Sequence, residues 1–556
     1  MKRSESLMKD FSTAGGQRFL AAVILMASFA ASCLMVTPEP ARGGDISGVF
    51  VVNSTGDGAD AVLDGICNTQ SGPTPECTLR AAIQEANATP GHDFIHFNIG
   101  GIGLKTISLA TLLPKIVAPV TIDGYTEPGA SENTLMVGDN ANLLINLNKG
   151  SGSAGSGLWL DTSKSVVRGL SVTGFSSGVG VIVSGDNNTV EGNFLGTDPS
   201  GTQAGVGNNV GVIVQSNSSN GLVGGTTPAA RNLISGNNSD GVRINTDPNE
   251  EGNRVQGNYI GTTRSGTGDL GNSVAGVTVN SFAGSENLVG GNTPYAANTI
   301  AFNGTGVKVG DGFVPDGIGI LRNSIFGNDG LGIDLKGDGV TPDDAGDSDT
   351  GPNNLQNFPD LSSAVVSGTN TVIQGSINTE GNKTYSLRFY SSPQADGSGH
   401  GEGKTFLGQG DNVTTDPDGN ATFTFVAPLP VHDGHAVSAT ATDPSGNTSE
   451  FSETVAAVNT APTIIARRPV PGSKIRDRTP AIKATVRDDQ TNISRGNISL
   501  FVDGNKKSNF TYDPSTDLLS YVVSGQLSFG RHTVKIVASD GVLTTTKTWR
   551  FRIIRQ

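Results

Sequence analysis

Aromatic residues make up only 6% of this chain and charged residues only 16%. A composition so poor in both excludes a helix bundle or coiled coil. Proline stays at 26 of 556 residues and glycine follows no strict every-third pattern, so collagen is excluded too. Beyond residue 36 no apolar run is long enough to cross a bilayer. Cysteine is scarce, with three residues in all. What abounds is glycine, 77 residues, roughly twice the usual share. Valine and isoleucine runs separate the polar stretches, which argues against disorder. Together these features indicate an all-β or repetitive β protein, long enough for three or four domains.

The formal charge of −14 is unevenly spread: residues 460–556 hold 16 Lys and Arg against 7 Asp and Glu, leaving 21 against 44 in residues 1–459. An acidic body of −23 offers no electrostatic footprint for nucleic acid, whereas the +9 tail can meet an anionic wall polymer, lipid headgroups or its own acidic body. A solvated basic face is the plain alternative.

Lys2, Arg3, Lys9 and Arg18 precede an apolar run, Phe19 to Val36. This is the pattern of a secretory signal peptide over residues 1–41, cleaved between Ala30 and Ala41. Lipid attachment at Cys33 and an uncleaved membrane anchor are the alternatives. With Cys33 removed, Cys67 and Cys77 form an even pair that reads as one disulfide closing a short loop. Leu79, Ala82, Ile83 and Ala86 fall at helical spacing, predicting a helix from Thr78 to Asn87 with Thr78 as N-cap. The run Asp93 to Asn98 alternates like a strand.

Gly192-Asn193-Phe194-Leu195-Gly196-Thr197 recurs 65 residues on as Gly257-Asn258-Tyr259-Ile260-Gly261-Thr262, and Leu222-Val223-Gly224-Gly225 returns as Leu288-Val289-Gly290-Gly291. Asn193, Asn237, Asn258, Asn303 and Asn328 follow at intervals close to one or two multiples of about 22 residues, the signature of stacked coils of three short strands each. In such a solenoid alternating Val, Ile and Leu share an interior. Asparagine is expected to turn the corners in left-handed conformation and to hydrogen-bond in stacked ladders. Glycine is expected at the remaining corners.

The run Cys77-Thr78-Leu79-Arg80-Ala81-Ala82-Ile83, with Glu85-Ala86-Asn87, resembles the motif of exported bacterial β-helix proteins with an N-terminal CSLREA domain. Thr78 stands for the motif's serine and Ala81 for its glutamate. Leu113-Pro114, Ile122-Asp123-Gly124, Gly332-Ile333-Asp334-Leu335 and Asn357-Phe358-Pro359 extend the likeness over about residues 48–455. The resemblance implies a right-handed parallel β-helix in a secreted or surface protein and brings no catalytic residues. The expected division is a cap over 48–100, the β-helix over 101–358, and two immunoglobulin-like β-sandwiches over 359–457 and 460–556, with a linker at Val458 to Pro462. The sandwiches rest on alternating runs such as Tyr385 to Tyr390, Ala436 to Ala441, Ile498 to Val502 and Thr533 to Val537.

Candidate chemistry is sparse. Asn245-Thr246-Asp247, Asp343-Asp344 and Gly399-His400-Gly401 mimic polygalacturonase tripeptides. Inverting hydrolysis needs two carboxylates on neighbouring coils, and Asp247 and Asp343 are expected about four coils apart, with His400 in a sandwich. A lyase needs a cation-binding acidic cluster beside a base, and Arg243, Arg254 and Arg264 have none nearby. The densest constellation is acidic: Asp334, Asp338, Asp343, Asp344, Asp347 and Asp349, hard oxygen ligands that suit a structural calcium ion, with a solvated loop as the alternative. His92 with His96, and His432 with His435, lack a third metal ligand. Trp159 can stack on a sugar or simply pack. The expectation is therefore a monomeric, secreted or cell-surface bacterial protein for adhesion or polysaccharide binding without catalysis. It needs no cofactor, binds no nucleic acid and has no membrane span in the mature chain. A polysaccharide lyase or hydrolase and a structural spacer are the alternatives.

Overall fold

The structure, a computed structural model, describes residues 48–70, 75–150, 155–280, 283–310, 316–488 and 490–555. The signal-peptide segment 1–41, with Cys33, lies outside the described residues. No helix among the described residues is long and apolar enough to cross a membrane.

Three parallel sheets of nine, eight and seven short strands wind through residues 49–335 as a parallel β-helix. The register follows the sequence repeats. On the first sheet Val167, Val190, Val223, Val255 and Val289 lie abreast on successive strands. On the second, Val172, Leu195, Ile234, Ile260, Ile300 and Ile325 do the same. On the third the stack is Val181, Val212, Val242, Val277, Val307 and Ile333. All of these side chains are buried in one continuous apolar core. Period-two alternation sends their neighbours outward, so each strand supplies one core residue per pleat.

Coil length varies: Val167 to Val190 takes 23 residues, close to the 22 expected, but the coils that follow are longer. From Val190 to Val223, Val255 and Val289 each turn takes just over thirty residues, so the 65-residue unit is two coils and not three. The asparagines explain the misreading, because they belong to separate ladders. One runs Asn193, Asn232, Asn258, Asn298, Asn323, with steps of 39, 26, 40 and 25 residues. Another runs Asn237, Asn272, Asn303, Asn328. In each step the amide oxygen of one asparagine accepts from both the backbone N–H and the side-chain amide of its neighbour, as Asn298 does from Asn258 at 3.0 Å and 3.0 Å. Interleaving the two ladders gives a false short period.

Nor do the ladder asparagines turn the corners in left-handed conformation. That task falls to the flanking glycines, Gly192 at φ 64° and Gly257 at φ 69°, while other asparagines such as Asn187 and Asn220 take positive φ. At Gly178 the reason for glycine is space: an added Cβ would sit 1.1 Å from the carbonyl oxygen of Gly155.

At the N-terminal end, helix Leu79–Ala88 joins the core through Leu79, Ala82, Ile83 and Ala86. Thr78 is its N-cap, accepting from the Ala81 N–H at 3.1 Å. Every residue of the surrounding motif has a structural partner. Arg80 pairs with Asp57 and donates to the Leu112 carbonyl, Glu85 accepts from Asp64 and Gly65, and Asn87 bonds Lys115 and Val117. Cys67 and Cys77 form a disulfide across a separation of 10 residues. Replacing both with serine is expected to remove roughly 2–3 kcal/mol, the loop-closure entropy returned to the unfolded chain. Calorimetry of the oxidised protein checks this; a melting temperature equal to that of the serine variant would show that the loop is held by its hydrogen bonds alone.

The other end of the β-helix carries an antiparallel β-sandwich of seven strands between Asp360 and Val458. The last coil of any β-helix exposes unpaired backbone groups. Here the sandwich satisfies several of them. Ile325 bridges to Gly403, Tyr390 and Phe451 enter the β-helix core, and the Thr448 hydroxyl accepts from Ile320 N–H at 3.1 Å. Tyr385, Leu387 and Phe389 point into the sandwich, so period-two alternation turns Tyr390 to the opposite face and into that core. A second sandwich, residues 463–553, pairs a four-stranded with a five-stranded sheet around Leu500, Val534, Ile536, Trp549 and Phe551.

Candidate functional site

The outward residues of the second sheet build the candidate site. Phe194, Leu233 and Tyr259 lie abreast facing away from the core. Segment 133–143 covers them with Ala141 and Leu143, making a small second apolar cluster. Two arginines fasten this cover. Arg231 donates to the carbonyls of Leu135, Met136 and Gly138, and Arg264 to those of Asp139 and Ala141.

The column continues past the cover as Thr299 and Ser324, and there the surface opens into a groove of about 420 Å³. One rim is Met136 and Val137, the other Lys404 to Phe406 of the first sandwich. Tyr295, 56% exposed, projects from the turn Pro294–Ala296. Arg322 stacks over Phe406 at 4.3 Å and Lys404 over Phe326 at 4.3 Å, cation–π pairs that hold the aromatic faces in place. Among the described residues lining the groove there is no aspartate or glutamate. Chemically, the described lining offers aromatic faces, hydroxyls and positive charge.

Among the six aspartates expected to act together, only Asp344, Asp347 and Asp349 converge, with one oxygen from each within 4.8 Å of the others. This donor set suits a hard cation, yet most of its oxygens already serve the joint between helix and sandwich. Asp347 accepts from Asn357 N–H at 3.0 Å and the Thr379 hydroxyl at 2.8 Å, and Asp344 accepts from Ser348. Only Asp349 Oδ1 is buried without a hydrogen-bond partner. Burial pushes Asp347 up to about 6, opposed by these hydrogen bonds and reinforced by Asp349 and Asp344. Asp334 instead accepts from Gly337 N–H, and Asp338 pairs with Lys336 on the surface.

Asp343 faces another way. It accepts from Phe358 N–H at 3.0 Å and lines a hollow with Asp360, His400 and Glu453. Desolvation, with repulsion from Asp360, pushes it up to about 7. Sequence distance had separated Asp343 from His400; folding the 393–403 loop back onto the end of the β-helix brings them into one hollow. Asp247 stays apart, on a loop where its N–H is held by Glu250.

The remaining candidates have ordinary partners. The Trp159 ring is covered by the Lys115 ammonium at 3.7 Å and its N–H donates to Ser184. Arg243 pairs with Asp240 at 2.5 Å. His92 bonds the Thr121 hydroxyl at 2.8 Å, and His432 and His435 stand with ring centroids 5.1 Å apart. Sequence reading missed the groove, and one signal for it existed. Thr227-Pro228-Ala229-Ala230 of one repeat becomes Thr293-Pro294-Tyr295-Ala296 in the next, so Tyr295 is an aromatic ring where the architecture uses alanine.

Fold and groove together define a class: a parallel β-helix with two β-sandwich modules and an aromatic cleft that has no carboxylate among its described lining residues. No protein-family model and no curated protein matches the chain. Among solved structures it is similar to the fibronectin(III)-like modules of Clostridium thermocellum CbhA, with 17% identity and a TM-score of 0.15 over 35% of this chain and 90% of that one. The titin domains z1z2 in complex with telethonin give 18% identity and a TM-score of 0.17 over 36% of this chain and 96% of that one. Dimeric latent PorU from Porphyromonas gingivalis gives 15% identity and a TM-score of 0.15 over 35% of this chain and 23% of that one.

Proposed function

We propose that the protein is a secreted or cell-surface bacterial binding protein that holds a polysaccharide strand in the groove without cleaving it. The observation that carries this reading is the groove's lining: Tyr295, Phe326 and Phe406 with Arg322 and Lys404, and no carboxylate among the described lining residues. Sugar rings present apolar C–H faces that pack on exposed aromatics, while hydrolysis of the glycosidic bond requires an acid and a base carboxylate flanking it. The basic, then apolar N-terminal segment supports export. The Cys77 to Asn87 motif supports placing the chain among CSLREA-type β-helix proteins.

The test is retention of the purified chain on a panel of neutral and acidic polysaccharides, with released ends assayed in the same wells. At about 0.5 M salt, where exposed charges are screened, the aromatic contribution remains. Tyr295→Ala is expected to weaken retention about three- to tenfold, the loss of one stacking contact. It leaves the fold intact because the ring is exposed. New reducing or unsaturated ends would overturn the reading and direct attention to the hollow of Asp343, Asp360, His400 and Glu453.

A further inference from the structure

The five-stranded sheet of the C-terminal sandwich buries His532, Val534, Ile536, Trp549, Phe551 and Ile553 on one side. Alternation therefore sends their neighbours to the other. Strand pairing sets Lys474 beside Arg552, and Arg552 beside Arg531, so three cations stand abreast on three adjacent strands. Arg550 follows two residues along on the same face, and these four side chains line a hollow of about 390 Å³. Further across the sheet Lys535 faces outward over the Phe501 ring at 4.2 Å, and Lys506 is paired with Phe501.

Like charges directly opposite one another on a sheet are destabilising. Among the described residues, none of Lys474, Arg531, Arg550 and Arg552 has a side-chain hydrogen bond or ion pair. Asp503, at the end of the same sheet, is engaged with His532 and the Thr533 N–H. The other outward positions are mostly hydroxyl side chains, Ser499, Thr533, Thr546 and Thr548, with two half-buried apolar residues, Val537 beside Ser499 and Thr546, and Phe501 under Lys535. A fold gains nothing from such a row, whereas a chain of anions does.

We propose that this face is a second binding site, separate from the groove, for an anionic polysaccharide. Neighbouring strands lie about 4.8 Å apart, so the Lys474–Arg552–Arg531 row presents a positive charge at each strand spacing across the sheet. That is a match for a polymer carrying a carboxylate or sulfate on each sugar. Guanidinium forks bind such groups through paired N–H bonds, and the threonine hydroxyls hydrogen-bond the sugar. Membrane headgroups are the less suited anion, because the row is flanked by hydroxyls and the apolar residues of this face, Val537 and Phe501, are half-buried and not free to act as anchors.

The test uses the full chain and polygalacturonate as probe, with dextran as the neutral control and phosphatidylglycerol vesicles as the lipid control. Retention on polygalacturonate is expected to fall steeply with salt. In the double variant Arg531→Gln, Arg552→Gln, low-salt retention is expected to fall about tenfold or more. The same variant is expected to melt a few degrees higher, since repulsion has been removed. That rise also proves that the module folds. Tyr295→Ala is expected to leave the salt-sensitive component unchanged, so failure of the groove and failure of this face are told apart. Unchanged retention in the double variant, a lower melting temperature, or vesicle binding as tight as polymer binding would each overturn the proposal.

Discussion

Replacing Asn258 with alanine is expected to destabilise the β-helix by roughly 4 kcal/mol, since four buried polar groups lose a partner at about 1 kcal/mol each. Asn258 is fully buried in the middle of its ladder. Its amide oxygen accepts from the Asn232 N–H at 3.3 Å and side-chain amide at 3.0 Å, and its own NH2 donates to the Val223 carbonyl at 2.9 Å and to Asn298 at 3.0 Å. Water cannot replace these bonds between closely stacked coils. Aspartate, although the same shape, would aim a second oxygen at two acceptors and is expected to do no better. The control is Asn238→Ala, an exposed asparagine with one bond to Ser176, expected to change stability by less than about 1 kcal/mol. Urea denaturation of the three variants checks the ordering, and a ladder variant no weaker than the control would show that the ladders contribute little.

Those same asparagines mark what was readable in the chain and what was not. Repeated Gly-Asn-x-x-Gly-Thr units announced a solenoid because every coil places identical demands on identical positions: left-handed backbone at Gly192 and Gly257, a ladder rung at Asn193 and Asn258, a core residue at Leu195 and Ile260. Coil length was hidden because the segments between rungs vary, alternating near 25 and 40 residues on one ladder, while a second ladder fills the gaps. The groove was hidden more deeply. Val137, Tyr295, Arg322 and Phe406 come from four distant segments, and only the winding of the helix and the seating of the sandwich bring them together. Likewise the sequence shows a basic tail, but only strand register sets Lys474, Arg552 and Arg531 abreast. Charge content is a property of composition, whereas charge convergence is a property of pairing.

Raising the pH from 5 to 8.5 is expected to weaken the protein, chiefly through two carboxylates that close the end of the β-helix, with Asp343 and Asp347 adding to the loss. Glu402 caps the second asparagine ladder, accepting from the Asn328 amide at 2.7 Å and from Gly327 N–H. Glu450 accepts from Leu335 N–H at 2.9 Å and Thr341 N–H at 3.0 Å. They are 5% and 2% exposed. Desolvation pushes Glu402 up to about 7 and Glu450 up to about 8, against the pull of these hydrogen bonds and with repulsion from Asp396 on the first and from Asp334 and Asp338 on the second. In the unfolded chain both titrate near 4.5. Between the unfolded and folded values the native state holds the extra protons, so their contribution is complete below pH 4.5 and is lost as pH rises through 7 and 8. The loss is on the order of 3 kcal/mol for each group by the time both are ionised. Glu450→Gln removes one titration and trades a hydrogen bond from Thr341 for permanent neutrality. Because Asp343 and Asp347, raised to about 7 and about 6, titrate in the same window, it should flatten the pH profile by about a third while changing stability little near pH 6. Calorimetric midpoints at half-unit pH intervals decide the matter. A wild-type midpoint that holds steady or rises across this window would mean that the joint keeps both carboxylates ionised, with their backbone hydrogen bonds outweighing the burial.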